Sequence, residues 1–176
     1  AFLLAQKEVD ATLVLLGNIA TDDPEGIEVF ESLLNYRSDR IIILSRDDTA
    51  LVNALQHRAA VVIQKSIREG FGLTVAEAMW KRTPVIGGRA GGIPYQIRDG
   101  YNGFLVDSVE DTAARIVEVI RNPALRDEMG ENARETVRDN FLLIRLLEQY
   151  LDMFGSFETI YRVRAGAPVA QHAHMR

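Results

Sequence analysis

Five short apolar runs alternate with amphipathic stretches over the first 106 residues, and this alternation limits what the chain can fold into. Segments 11–16, 40–44, 61–64, 84–86 and 103–106 are rich in Val, Ile and Leu and are bounded by turn residues. Near-continuous apolar runs of that length suit strands buried on both faces, as in a parallel sheet. Candidate helices lie between them at 24–36, 49–58 and 73–80; in the first, Ile27, Phe30, Leu33 and Leu34 fall on one stripe. Strand and helix in alternation imply βα units joined by right-handed crossovers. The expected fold class is therefore α/β with a doubly wound, Rossmann-like parallel sheet. Phe2, Leu3 and Ala5 read as helical, so the chain is expected to begin inside a βα unit, after that unit's strand.

Beyond Val106 the pattern becomes helical only. Ser108 followed by Glu110 and Asp111 resembles a helix cap, and Ile116, Val119 and Ile120 continue as a stripe. Pro123 opens a second helix through Met129 and Ala133, and 141–154 reads as a third, with Leu142, Leu143, Leu146, Leu147, Tyr150 and Leu151 at helical spacing. Residues 1–154 are expected to form one domain, and 155–176, which lack a clear period, a loosely held tail. His172 and His174 in that tail read as incidental rather than as a metal pair.

Composition closes off several function classes. The 176 residues include no cysteine, which removes a disulfide framework, a thiolate zinc site and a cysteine nucleophile. A formal net charge of -5 argues against a nucleic-acid partner, which calls for basic excess to meet phosphates. No apolar run approaches the roughly 20 residues of a membrane helix, and no basic start marks a signal peptide. A cytoplasmic chain with no membrane partner is expected.

The densest chemical signal is Glu69-Gly70-Phe71-Gly72-Leu73-Thr74, leading through Glu77 to Met79. The glycines follow an expected strand and precede an expected helix, so they fall at a strand's carboxyl end, where open α/β sheets bind ligands. Gly70 and Gly72 permit close backbone approach, and free N–H groups at Gly72, Leu73 and Thr74 suit a phosphate at a helix N-terminus. This is no Walker loop, because no Gly-Lys-Ser/Thr follows. Carboxylates are repelled by a diphosphate but accept well from vicinal hydroxyls. Glu77 is thus placed for ribose hydroxyls and Glu69 for those of a sugar beyond the phosphates. Singly, each also reads as a first-turn or solvated carboxylate. A second cluster, Gly87-Gly88-Arg89-Ala90-Gly91-Gly92, is expected at the same edge and facing the same crevice, a flexible linker being the alternative, with Arg89 either near phosphate or on the surface. Met79 and Trp80 are expected in the core.

Glu69 and Glu77, with seven residues between them around Gly-Phe-Gly-Leu, resemble the E-x7-E signature of retaining glycosyltransferases of the GT-B fold. Glu77-Ala78-Met79, Pro84-Val85-Ile86, Gly91-Gly92-Ile93-Pro94 and the run from Asp99-Gly100 to Leu105-Val106 continue that pattern in order. Within the family, Asp22-Asp23-Pro24-Glu25-Gly26 and the run from Ser66-Ile67-Arg68 to Val75 are most similar to the trehalose-forming branch, which joins glucose from a nucleoside diphosphate glucose to free glucose.

The resemblance implies a C-terminal, donor-binding half in which Glu69 contacts the donor sugar. Gly70, Phe71, Gly72, Leu73 and Thr74 would then bind sugar and diphosphate, Glu77 the ribose, and the main chain near Leu44 and Ser45 the base. It implies no metal and no other cofactor, and an acceptor held by a separate N-terminal domain. The family's diphosphate-binding Arg and Lys are expected upstream of Ala1. A chain lacking them and the acceptor domain is expected to be inactive alone, and a missing first strand, by uncovering a sheet edge or apolar face, favours a homo-oligomer. Two alternatives stay open: a non-catalytic nucleotide- or sugar-binding module, and another retaining transferase acting in glycogen, sucrose or lipid-sugar synthesis.

Overall fold

A computed structural model describes residues 1–17 and 24–164. The elements run in the order α1 (Phe2–Ala5), β1 (Leu13–Gly17), α2 (Pro24–Leu34), β2 (Ile41–Ser45), α3 (Thr49–Arg58), β3 (Val62–Gln64) and α4 (Leu73–Trp80). They continue through β4 (Val85–Gly88), α5 (Ile93–Gln96), β5 (Gly103–Val106), α6 (Val109–Arg121), α7 (Pro123–Asn140) and α8 (Leu143–Arg164). The chain divides into two units, 1–137 and 138–176.

Among the described residues the five strands pair with one another in parallel, as the alternation requires. The strands are shared between two hydrogen-bonded sheets rather than one: β1 pairs with β2, and β3, β4 and β5 form a second sheet in that order. Leu13 lies opposite Ile41 and Gly17 opposite Ser45; Val62 opposite Val85; Val85 opposite Gly103. Every residue of β4 and β5 is buried, whereas Leu13 to Leu16 of β1 and all of β3 are only half-buried.

Side-chain alternation along β4 and β5 places helices on both faces of the second sheet. Ile86, Phe104 and Val106 face a core with Ala113, Ile116 and Val119 of α6 and Met129 of α7. On the opposite face, a Cβ at Gly87 would meet Ile93 and Ile97, so α5 lies almost on the strand backbone there. The first sheet has a smaller core of Phe2, Ile41 and Ile43, with Phe30 and Leu33 of α2 packed against it. The rest of the expected α2 stripe, Ile27 and Leu34, is exposed. Helix α1 serves both cores, with Phe2 in one and Ala5 in the other.

Caps account for two of the helix starts. Asp48 accepts from the Leu51 N–H at 2.9 Å to open α3, and Ser108 from the Asp111 N–H at 3.0 Å to open α6. In the second unit, α8 passes through Gly155 instead of ending at Phe154, so the expected tail boundary is moved. Glycine costs only about 1 kcal/mol in a helix, and Phe157 extends the spacing of Leu143, Leu147, Tyr150 and Phe154. The Asp22-Asp23 motif, His172 and His174 lie outside the described residues. Among the described residues no helix is long and apolar enough to cross a membrane.

Candidate functional site

Gly72 opens α4 in the left-handed conformation at φ 86°, which a Cβ would oppose. The N–H of Val75 donates back to the Gly72 carbonyl at 3.0 Å. Helix geometry leaves the Leu73 and Thr74 N–H groups without an intrahelical acceptor. Both residues are exposed, as are Gly70 and Phe71, so the helix N-terminus faces outward as expected for anion binding.

Three donors converge on the half-buried Glu69. Gln64 Nε2 at 3.2 Å and Ser66 Oγ at 3.1 Å donate to Oε2, and the Gly70 N–H donates to Oε1 at 3.0 Å. Gln64 Nε2 also donates to Ser66 Oγ at 2.8 Å, which closes the ring. The carboxylate thereby has one orientation and retains lone pairs on both oxygens. Glu77 is exposed on the second turn of α4 and accepts from Gln56 Nε2 of α3 at 3.1 Å.

Two glycines of the second cluster pack against the first loop. A Cβ at Gly92 would lie 2.6 Å from the Phe71 carbonyl oxygen, and the Gly92 N–H donates to Gly70 O at 2.6 Å. Gln96, almost wholly buried, donates through Nε2 to the carbonyl oxygens of Phe71 and Gly72. Arg89 pairs with Asp107 at 3.1 Å on the surface. Leu44 and Ser45 end β2, in the other sheet from the glycine loops. Met79 is buried, but Trp80 is partly exposed beneath the Arg134 guanidinium at 4.9 Å, because it ends its helix at the surface. Among the described residues no cluster of three His, Asp or Glu could hold a metal ion.

Sequence reasoning assigned no role to four side chains of this site, Gln56, Gln64, Ser66 and Gln96, for want of a strong signal. Ser66 and Gln64 had a weak one, as polar residues at a strand's carboxyl end. Gln56 had none, since its only mark is falling one turn after Val52 beside Leu55 on the inner side of α3.

Residues 1–136 match the family model for Glycosyl transferases group 1. The trehalose synthase of Thermococcus litoralis is 43% identical over 157 residues, covering 86% of this chain and 38% of that protein. The trehalose synthase of Rubrobacter xylanophilus is 45% identical over 160 residues, covering 88% and 38%. This chain thus spans about two fifths of the length of these relatives. The Anabaena protein HepE, solved in complex with UDP-glucose, superposes with a TM-score of 0.73 at 23% identity, covering 87% of this chain and 43% of that one. Its likeness shows the fold, one Rossmann-like half of a GT-B enzyme. With a family model matched over most of its length and relatives above 40% identity, the chain belongs to the glycosyl transferases of group 1.

Proposed function

We propose that this chain is the donor-binding half of a retaining glycosyltransferase, taking glucose from a nucleoside diphosphate glucose to free glucose and giving trehalose. The observation that carries the reading is the placement of Glu69 and Glu77 on either side of the open N-terminus of α4. Each carboxylate is oriented by protein donors and keeps acceptor capacity for hydroxyls. A diphosphate between them meets the Leu73 and Thr74 N–H groups, with the hydroxyl of Thr74 beside them. Sugar hydroxyls then fall toward Glu69 and ribose hydroxyls toward Glu77, and the base lies toward Leu44 and Ser45. The reading uses no metal, since main-chain donors and the helix dipole stabilise the leaving diphosphate. The trehalose synthases at 43% and 45% identity support the product. As those relatives are more than twice as long, the acceptor site is assigned to residues beyond this chain.

Titration calorimetry of the chain with ADP, GDP and UDP tests the donor site, and at least one is expected to bind. No heat from any of the three sinks the donor reading. Labelled glucose offered with the matching donor to the full-length protein tests the product. A labelled product other than trehalose sinks that part alone.

A further inference from the structure

We infer that Gln56 is a positioning residue for Glu77, held in place by Lys81 so that the carboxylate stays turned toward its ligand. The inference rests on Glu77 binding ribose, as proposed above.

Gln56 lies on α3, 21 positions before Glu77, and is only 5% exposed. Both ends of its amide are engaged: Nε2 donates to Glu77 Oε2 at 3.1 Å, and Oε1 accepts from Lys81 Nζ at 2.8 Å. An ammonium only donates and a carboxylate only accepts, so the amide has one workable orientation. Flipping it would set donor against donor and acceptor against acceptor. Its main chain is anchored as well, since Thr83 Oγ1 donates to the Gln56 carbonyl at 2.6 Å.

Glu77 and Lys81 are four apart on one helix, with the acid N-terminal, the order that favours a direct ion pair. No such pair forms. Lys81 Nζ instead donates to the Glu77 carbonyl at 3.2 Å and to Gln56, and the neutral amide stands between cation and carboxylate. The arrangement has two consequences. An exposed glutamate otherwise samples several rotamers, and fixing Oε2 removes most of that freedom before ligand arrives. Keeping the ammonium off the carboxylate also leaves Oε1 able to accept from vicinal hydroxyls.

The test uses the whole chain with ADP, GDP and UDP and their 2′,3′-dideoxy counterparts, read by calorimetry. Gln56→Leu keeps the side chain's bulk and removes both hydrogen bonds. It is expected to weaken the ribonucleotide that binds by about tenfold or more, in the range of one charged hydrogen bond. Affinity for its dideoxy counterpart should not change, whereas a variant that merely loosened the fold would weaken both alike. Glu77→Ala should erase the preference for ribose, and adding Gln56→Leu to it should cost nothing further. If Glu77→Ala erases that preference and Gln56→Leu keeps it in full, the positioning role is overturned while the ribose reading stands. If Glu77→Ala retains it, or if the unaltered chain binds none of the probes, both are overturned. Should Gln56→Leu fail to fold, Lys81→Met releases the amide from the other end. The same selective loss is expected there, and undiminished ribose preference overturns the proposal.

Discussion

A Cβ on Gly91 would overlap the main-chain carbonyl oxygen of Glu69. The second glycine loop therefore lies directly behind the residue expected to meet the donor sugar. Gly91 is at φ 51°, and the next N–H, from Gly92, donates to Gly70 O at 2.6 Å. Backbone packed on backbone leaves no flexible side-chain end to yield.

Gly91→Ala is accordingly expected to lower stability by about 3 kcal/mol or more, since a rigid overlap adds to left-handed strain. Gly100→Ala is the matched control: its φ is 76°, but nothing lies within 4 Å of the added Cβ. Only the conformational term remains there, about 1–2 kcal/mol. Urea unfolding of both variants measures the difference, and equal losses would contradict the packing account.

Asn102 closes the turn before β5 and is almost wholly buried. Its Oδ1 accepts from the Arg98 N–H at 2.8 Å, and its Nδ2 donates to Gln96 O at 3.1 Å and to Thr136 Oγ1 at 2.9 Å. Asn102→Ala leaves the buried Gln96 carbonyl and the part-buried Arg98 N–H without these partners, at about 1–3 kcal/mol for a buried group left unsatisfied. A loss of about 2–4 kcal/mol is expected in thermal or urea unfolding, and a loss below about 1 kcal/mol would show that the turn holds without it.

On the proposed reading, Glu69→Gln alters the donor-sugar side of the site and leaves the nucleotide side intact. The new amide must turn its oxygen toward Gln64 and Ser66, which puts an N–H₂ group where Oε1 accepted from the Gly70 N–H. In the full-length protein, turnover should fall about a hundredfold, the scale of losing one transition-state contact. Nucleoside diphosphate affinity should stay within about twofold. Transfer and donor hydrolysis both running at parental rates would remove Glu69 from the reaction.

Much of the fold was legible because its determinants are local. Helices α3 and α4 and strand β5 have the bounds expected from periodicity and turn residues. The short helix α5 was not legible, because Gly91-Gly92 followed by Pro94 reads as loop, although proline fits a helix's first turn. The passage of α8 through Gly155 was hidden in the same way, by a residue that usually marks a helix end.

By itself the sequence determined the alternation of strands and helices, the glycines at a strand's carboxyl end, and the seven-residue spacing of Glu69 and Glu77. Periodicity and backbone freedom belong to each residue and its near neighbours, so they can be read without a fold. Only the tertiary structure decided that α3 lies where Gln56 reaches Glu77, and that Gly91 and Gly92 back the loop of Glu69 to Phe71. It also decided that the five strands divide between two sheets. Those outcomes depend on which segments come to rest against each other, and pairings across 21 or more residues leave no mark in local pattern.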